Sequence, residues 1–222
     1  MSTPTSSELP VPTNTMPTRN LSSPLRAASV GSGLALHRRN AILDAVLVLA
    51  AEGGYGAVQM RTVAERAGIA VGTLYRYFAS KNHLLASALT RQFHRLRGVR
   101  DWTTTAGSPQ QRLERLTGYL HERWQRDPLL TEAMTKAFVM DSTSATAVNE
   151  AAVAIEHLLA CTLCGGHPSA TDRRVAGVIA DIWLANMVAF VGGRASATQT
   201  RARMDWAAKR LLKNFTTDAK HL

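Results

Sequence analysis

The stretch Arg61–Lys81, RTVAERAGIAVGTLYRYFASK, decides how the chain folds. Val63, Ala64 and Ala67 share one face of a short helix. Gly68 follows as its stop, because a left-handed turn is cheapest for a residue without a Cβ. After Ile69-Ala70 a second helix is predicted from about Val71, carrying Thr73, Tyr75, Arg76 and Tyr77 within two turns. Leu74 and Phe78, four apart, can anchor it to a core while its other face stays free. This is helix-turn-helix geometry, with the second helix offered to a DNA major groove.

Side-chain chemistry divides the roles along this stretch. Gly72 lets the backbone approach base edges closely, and Thr73 and Tyr77 offer hydroxyls to phosphates. Arg76 can reach a guanine edge or a phosphate, and only the guanine contact would specify sequence. Tyr75 either touches sugar-phosphate or a thymine methyl, or packs inside the small domain. Arg61 sits in the first turn of the preceding helix, where a guanidinium beside orphan amides makes a phosphate site.

Upstream, His37-Arg38-Arg39-Asn40 opens a strongly periodic helix whose Ile42, Leu43, Val46 and Leu47 face a core, and Gly53-Gly54 ends it. Arg38 and Arg39 oppose the helix dipole at that start, a cost a nearby phosphate would offset. They are therefore candidate backbone contacts. Residues 1–33 are rich in Ser, Thr and Pro and are expected to be a disordered arm. Residues 34–82 form the predicted DNA-binding domain, and residues 83–102 a long linking helix with Leu84, Leu85, Leu89, Phe93 and Leu96 on one stripe.

Charge agrees with that division. The 222 residues carry a net charge of +10. Residues 1–100 hold 12 Lys/Arg against 4 Asp/Glu, whereas residues 101–222 hold 14 against 12. The excess lies in the half with the helix-turn-helix and favours a polyanion there. No uninterrupted run of about 18 apolar residues suggests a membrane partner. No signal pattern occurs and two cysteines cannot make a disulfide scaffold, so a cytoplasmic protein is expected.

The rest of the chain, 103–222, reads as an all-α bundle. Apolar periodicity predicts helices over 109–126, from Pro128 to Met140, and over 147–164, 171–191 and 198–215. Trp124, Met134, Phe138, Trp183 and Met187 are candidates to line a ligand pocket, with plain core as the alternative for each. His157, Cys161, Cys164 and His167 could hold zinc or act as a thiol sensor, but one helix cannot wrap four ligands around an ion, so no metal site is assigned. Buried cysteines and surface histidines remain the plainer reading. No nucleophile elbow, phosphate-binding loop or HExxH is present, and neither an enzyme nor a cofactor is expected. Asp181, inside the most apolar helix, suits an interface or pocket hydrogen-bonding group.

Gly72-Thr73-Leu74-Tyr75-Arg76-Tyr77-Phe78, Ser80-Lys81 and Leu84-Leu85, preceded by Val63-Ala64 and Ala67-Gly68, resemble the signature of the TetR family of transcriptional regulators. The resemblance implies an N-terminal three-helix DNA-binding domain fused to a C-terminal ligand-binding and dimerisation bundle. It places Lys81 at a phosphate-binding position and makes the last two helices a four-helix dimer interface matched to a palindromic operator. Ala70 and Gln59 depart from the pattern, standing where many members carry a hydroxyl residue, and predict helices without side-chain caps. Gln59-Met60-Arg61, Pro128–Thr135 (PLLTEAMT) and Asp181–Asn186 (DIWLAN) narrow the likeness to the branch that controls cholesterol catabolism in actinobacteria. That branch implies a double-stranded operator as partner and release by a coenzyme A thioester of a sterol-derived acid. Multidrug or other lipophile sensing, and redox or metal sensing through Cys161 and Cys164, remain the alternatives.

Overall fold

The computed structural model describes residues 24–99, 101–103, 107–140 and 145–218, and among them all regular structure is helical. The helices are α1 (Pro24–Ala57), α2 (Met60–Arg66), α3 (Val71–Tyr77), α4 (Lys81–Val99), α5 (Pro109–Arg126), α6 (Pro128–Val139), α7 (Ala145–Cys164), α8 (Ala170–Val191) and α9 (Ala197–Asp218). The chain divides into two compact units, Met1–His37 and Arg38–Leu222. In the first, the expected disordered arm lies outside the described residues up to residue 23. From Pro24 the backbone is helical, with a first-turn proline followed by the good helix formers Leu25, Arg26, Ala27 and Ala28.

The second unit holds two apolar cores. One gathers Ile42, Leu43 and Val46 of α1, Val63 and Ala64 of α2, Leu74 and Phe78 around α3, and Leu84 and Leu85 of α4. Each large side chain buried there contributes about 1.5–3 kcal/mol. Helix α6 joins this head core through Ala133, Met134 and Ala137, although it is distant in sequence. Helix α1 breaks at Gly53 and at Gly54, whose φ of 67° suits glycine. A Cβ on Gly54 would also meet the Glu132 carboxylate at 2.8 Å.

Neither Gln59 nor Ala70 gives its helix a side-chain cap, as the sequence predicts. The turn between α2 and α3 closes through its backbone instead. Gly68 N–H donates to Glu65 O and Ile69 N–H to Ala64 O, at 3.1 and 3.0 Å, with Gly68 at φ +66°.

The body core sets Phe93 and Leu96 of α4 against Leu113, Leu116 and Leu120 of α5, Ile155, Leu158 and Leu159 of α7, and Ile179 of α8. Helix α4 packs on both α6 and α7, α5 on α7 and α9, and α8 on α7 and α9. Pro109 and Pro128 occupy first-turn positions, and Ser108 and Ser169 each close a capping box.

Helices α7 and α8 correct one expectation. By length and average composition both could cross a membrane, although neither contains an uninterrupted run of about 18 apolar residues. More than half of the apolar window of α7 is buried in the bundle, against little more than a quarter of that of α8.

Arg112 is buried without a carboxylate partner in its hydrogen-bond set. Its Nε donates to Thr162 O (2.8 Å), Nη2 to Leu163 O (2.5 Å) and Nη1 to Gly107 O (2.6 Å). The guanidinium thus caps the carbonyl end of α7, where the helix dipole favours a cation. Arg112→Met is expected to cost about 3 kcal/mol and lower the unfolding midpoint by roughly 6–12 °C in a circular-dichroism melt. An unchanged midpoint would mean these bonds add nothing net.

Candidate nucleic-acid interface and ligand cavity

Helix α3 turns Leu74 inward, and Phe78 just beyond its end follows, while most of its other residues face outward. Leu74 and Phe78 are fully buried, whereas Val71 is 40% exposed, Tyr75 53%, and Gly72 and Arg76 are exposed as well. Of the two readings of Tyr75, packing within the domain is therefore set aside. Thr73 and Tyr77 are half-buried, and the Tyr77 ring lies 6.4 Å from that of Phe78.

Arg61 and Arg38 are exposed, and Arg39 is half-buried with its guanidinium 5.3 Å above the Phe78 ring. Lys81 is differently engaged. Its ammonium donates to Tyr55 O at 3.0 Å and lies 3.7 Å from the Tyr55 ring centroid, and burial lowers its pKa. The Tyr55 hydroxyl in turn donates to Asn82 Oδ1 at 2.7 Å. These contacts pin the end of α1 to the start of α4.

A second feature lies deeper. All five residues singled out for a pocket, Trp124, Met134, Phe138, Trp183 and Met187, line one cavity of about 200 Å³ among α4 to α8. The Trp124 and Trp183 rings lie 4.6 Å apart, and Phe93 meets Trp183 edge-on at 5.9 Å. Thr131 donates to Trp124 O at 3.2 Å, tying α6 to the end of α5. Leu47 of α1 and Leu89 of α4 also reach this cavity, and periodicity alone had assigned them only to helix stripes.

Arg123 is the arginine on the cavity wall, half-buried, with Nη1 3.4 Å from the Tyr119 hydroxyl. Its place beside Trp124 in sequence was the one available signal for it. Asp127 and Asp181, both exposed, line it too, with Gln92, Thr131 and Thr135.

The comparisons with known proteins bear on both features. The family model described as "Bacterial regulatory proteins, tetR family" matches residues 42–88, and that for "Tetracyclin repressor-like, C-terminal domain" matches residues 107–211. The HTH-type transcriptional repressor KstR of Mycolicibacterium smegmatis is 47% identical over 190 residues, which cover 85% of this chain and 93% of that protein. The chain belongs to the TetR family.

KstR of Mycobacterium tuberculosis is 46% identical over 190 residues, 85% of this chain and 86% of that one. Among solved structures, a TetR transcriptional regulator from Rhodococcus sp. RHA1 superposes with a TM-score of 0.72 at 28% identity, covering 81% of this chain and 97% of its own. Thermus thermophilus FadR, solved in complex with lauroyl-CoA, shares the fold at 20% identity and a TM-score of 0.62, covering 78% and 93%.

Within this TetR-type body the cysteine and histidine constellation does not assemble. Cys161 Sγ lies 3.6 Å from His157 Nε2, but Cys164 Sγ turns to the Cys161 carbonyl at 3.7 Å, and His167 is exposed beyond Gly165. Among the described residues no group of three or more His, Cys, Asp or Glu is placed to hold a metal ion. Burial pushes the Cys161 thiol up, away from the reactive thiolate.

Burial, ahead of neighbouring arginines, lowers the pKa values of His121 and His157 below their ordinary 6.5. The unfolded chain then binds these protons more readily, so stability is full above that value and is lost as pH falls through and below it. The melting midpoint is expected to drop between about pH 7.5 and 5.5, and to drop less in the His121→Gln/His157→Gln variant. An equal drop in both proteins would clear the histidines of any part in it.

Proposed function

We propose that the protein is a homodimeric repressor that grips a palindromic operator and releases it when a lipophilic, anionic effector enters the cavity. The observation that carries this reading is where the cavity lies. Leu47 and Met134 pack with the head core, Phe93, Leu96 and Ile155 with the body core, and all five line the same space. Occupying that space therefore acts on the joint between reader and body. In DNA binding, Gly72, Tyr75 and Arg76 would meet base edges and sugar-phosphate, with Arg38, Arg39, Arg61, Thr73 and Tyr77 on phosphates. Lys81 would act chiefly through the Tyr55 contact that sets the head on α4.

The effector class we infer is a coenzyme A thioester of a sterol-derived acid, with genes of sterol catabolism as targets. Three observations support it. The relatives are KstR repressors, and the two body segments that resemble the cholesterol branch both supply cavity wall. PLLTEAMT contributes Leu130, Thr131, Met134 and Thr135, and DIWLAN contributes Asp181, Trp183 and Leu184. Arg123 offers a cation to the anionic head of such a ligand, on a wall that Asp127 and Asp181 also line. The Thermus FadR fold, solved with lauroyl-CoA, accommodates a ligand of the same kind.

Dimerisation would use α8 and α9, where Val178 is 46% and Trp206 64% exposed. A soluble, cytoplasmic protein follows from this role.

Arg76→Ala is expected to weaken operator binding about tenfold or more with the dimer intact, and Arg61→Ala to weaken it on all sequences and flatten the salt dependence by about one unit of slope. A thermal-shift panel separates the effector classes. A sterol acyl-CoA at a hundred times its Kd should raise the midpoint by roughly 5–10 °C, whereas cationic drugs and zinc should leave it unchanged. A rise with drugs alone would indicate a multidrug sensor, and a rise with zinc that vanishes on Cys161→Ser would indicate a metal sensor.

A further inference from the structure

Helix α8 carries a stripe that its own chain leaves bare. Thr171, Arg174, Val178, Asp181 and Ala185 are all exposed, and their alternating spacing of three and four puts them on one face of the helix. Arg174 and Asp181 lie two turns apart on that face, and neither forms an ion pair among the described residues. Beside Val178, in mid-helix, stands Gly177, where glycine weakens a helix. Packing within the chain gives no reason for it. A Cβ there would meet nothing nearer than the Glu156 carboxyl group, in ordinary contact at 4.0 Å. Close approach of a second backbone accounts for a glycine so placed.

We propose that α8 pairs antiparallel with its own copy about a two-fold axis at Val178, so that Arg174 of each subunit meets Asp181 of the partner subunit. The inference rests on the dimer reading above and fixes its register. A two-fold contact is self-complementary: where one position meets a second, the second meets the first. Thr171 and Ala185 stand two turns either side of Val178, and Arg174 and Asp181 one turn either side. An axis at Val178 therefore sets each member of a pair opposite the other, and the ion pair forms twice. Moving the axis to Arg174 or to Asp181 would oppose like charges, and so would a parallel pairing in register. Asp181 also belongs to the cavity lining. This register thus brings the partner subunit's Arg174 to the cavity rim, where it offsets one of the carboxylates on that wall. Each cavity is completed by the other subunit.

Dimer dissociation of the full-length protein, measured by sedimentation equilibrium at low salt, tests the register. Arg174→Asp and Asp181→Arg are each expected to weaken the dimer about tenfold or more, since each opposes like charges at two places. The double variant Arg174→Asp/Asp181→Arg restores both pairs with their signs exchanged, and is expected to dimerise within about threefold of the wild type. Single variants that dimerise like the wild type, or a double variant as weak as the singles, would overturn the register and leave the dimer itself standing. A second measurement does not depend on the charge variants folding. In a Cys161→Ser/Cys164→Ser background, a short bismaleimide is expected to join Val178→Cys to its copy and to leave Ala185→Cys unlinked. Any other pattern of linkage would overturn the proposal. A wild type that stays monomeric at every concentration would bring down the dimer reading, and this inference with it.

Discussion

The structure turns on one shared apolar seam. Met134 of α6 is packed with the head core that holds α3, yet the same side chain walls the cavity in the body. Leu89 of α4 packs against both cores and reaches the cavity too. On that side the cavity wall and the head core are therefore built from the same side chains. The head is also held to α4 by polar contacts. Arg91 Nη1 donates to Asn40 O at 2.9 Å, and Nη2 pairs with Asp44 at 2.6 Å, its side chain only 10% exposed. With Lys81 on Tyr55, these contacts tie α1 of the head to α4.

The size of the cavity gives the seam its regulatory meaning under the proposed function. About 200 Å³ is less than the roughly 300–1,000 Å³ typical of pockets that enclose a drug-sized ligand. A bulky effector enters only by parting its walls, and close-packed interiors answer such parting by switching between discrete arrangements. The effector then has higher affinity for a conformer other than the one that spans two half-sites about 34–36 Å apart.

Much of this was legible in the sequence, and the parts that were not have physical reasons. Helix periodicity and the Gly and Pro punctuation placed the ends of α5 to α9 to within about three residues. Met, Trp and Phe at helical spacing picked out five residues of one cavity wall, because large adaptable side chains collect where packing leaves space. What a single strand of text lacks is the third dimension. Nothing in residues 128–139 signals that α6 would close the core of a domain about fifty residues upstream, nor that Leu47 of the head would face the cavity. The contact of Lys81 with Tyr55 was equally hidden, since α2 and α3 lie between them in sequence. An uninterrupted apolar run was too strict a criterion for α7 and α8. Asn149, Glu150, Glu156 and His157 interrupt the apolar run of α7, and Asp181 and Asn186 that of α8, while Ala, Val, Ile and Leu keep both helices apolar on average.

The most direct measurement is the affinity of one effector, a coenzyme A thioester of a sterol-derived acid, for the free protein and for its operator complex. Linkage through the seam requires the thioester to bind the operator-bound protein more weakly, by the same factor, about tenfold or more, by which saturating thioester weakens operator binding. Equal affinity for the two forms would contradict the seam as the route between cavity and DNA.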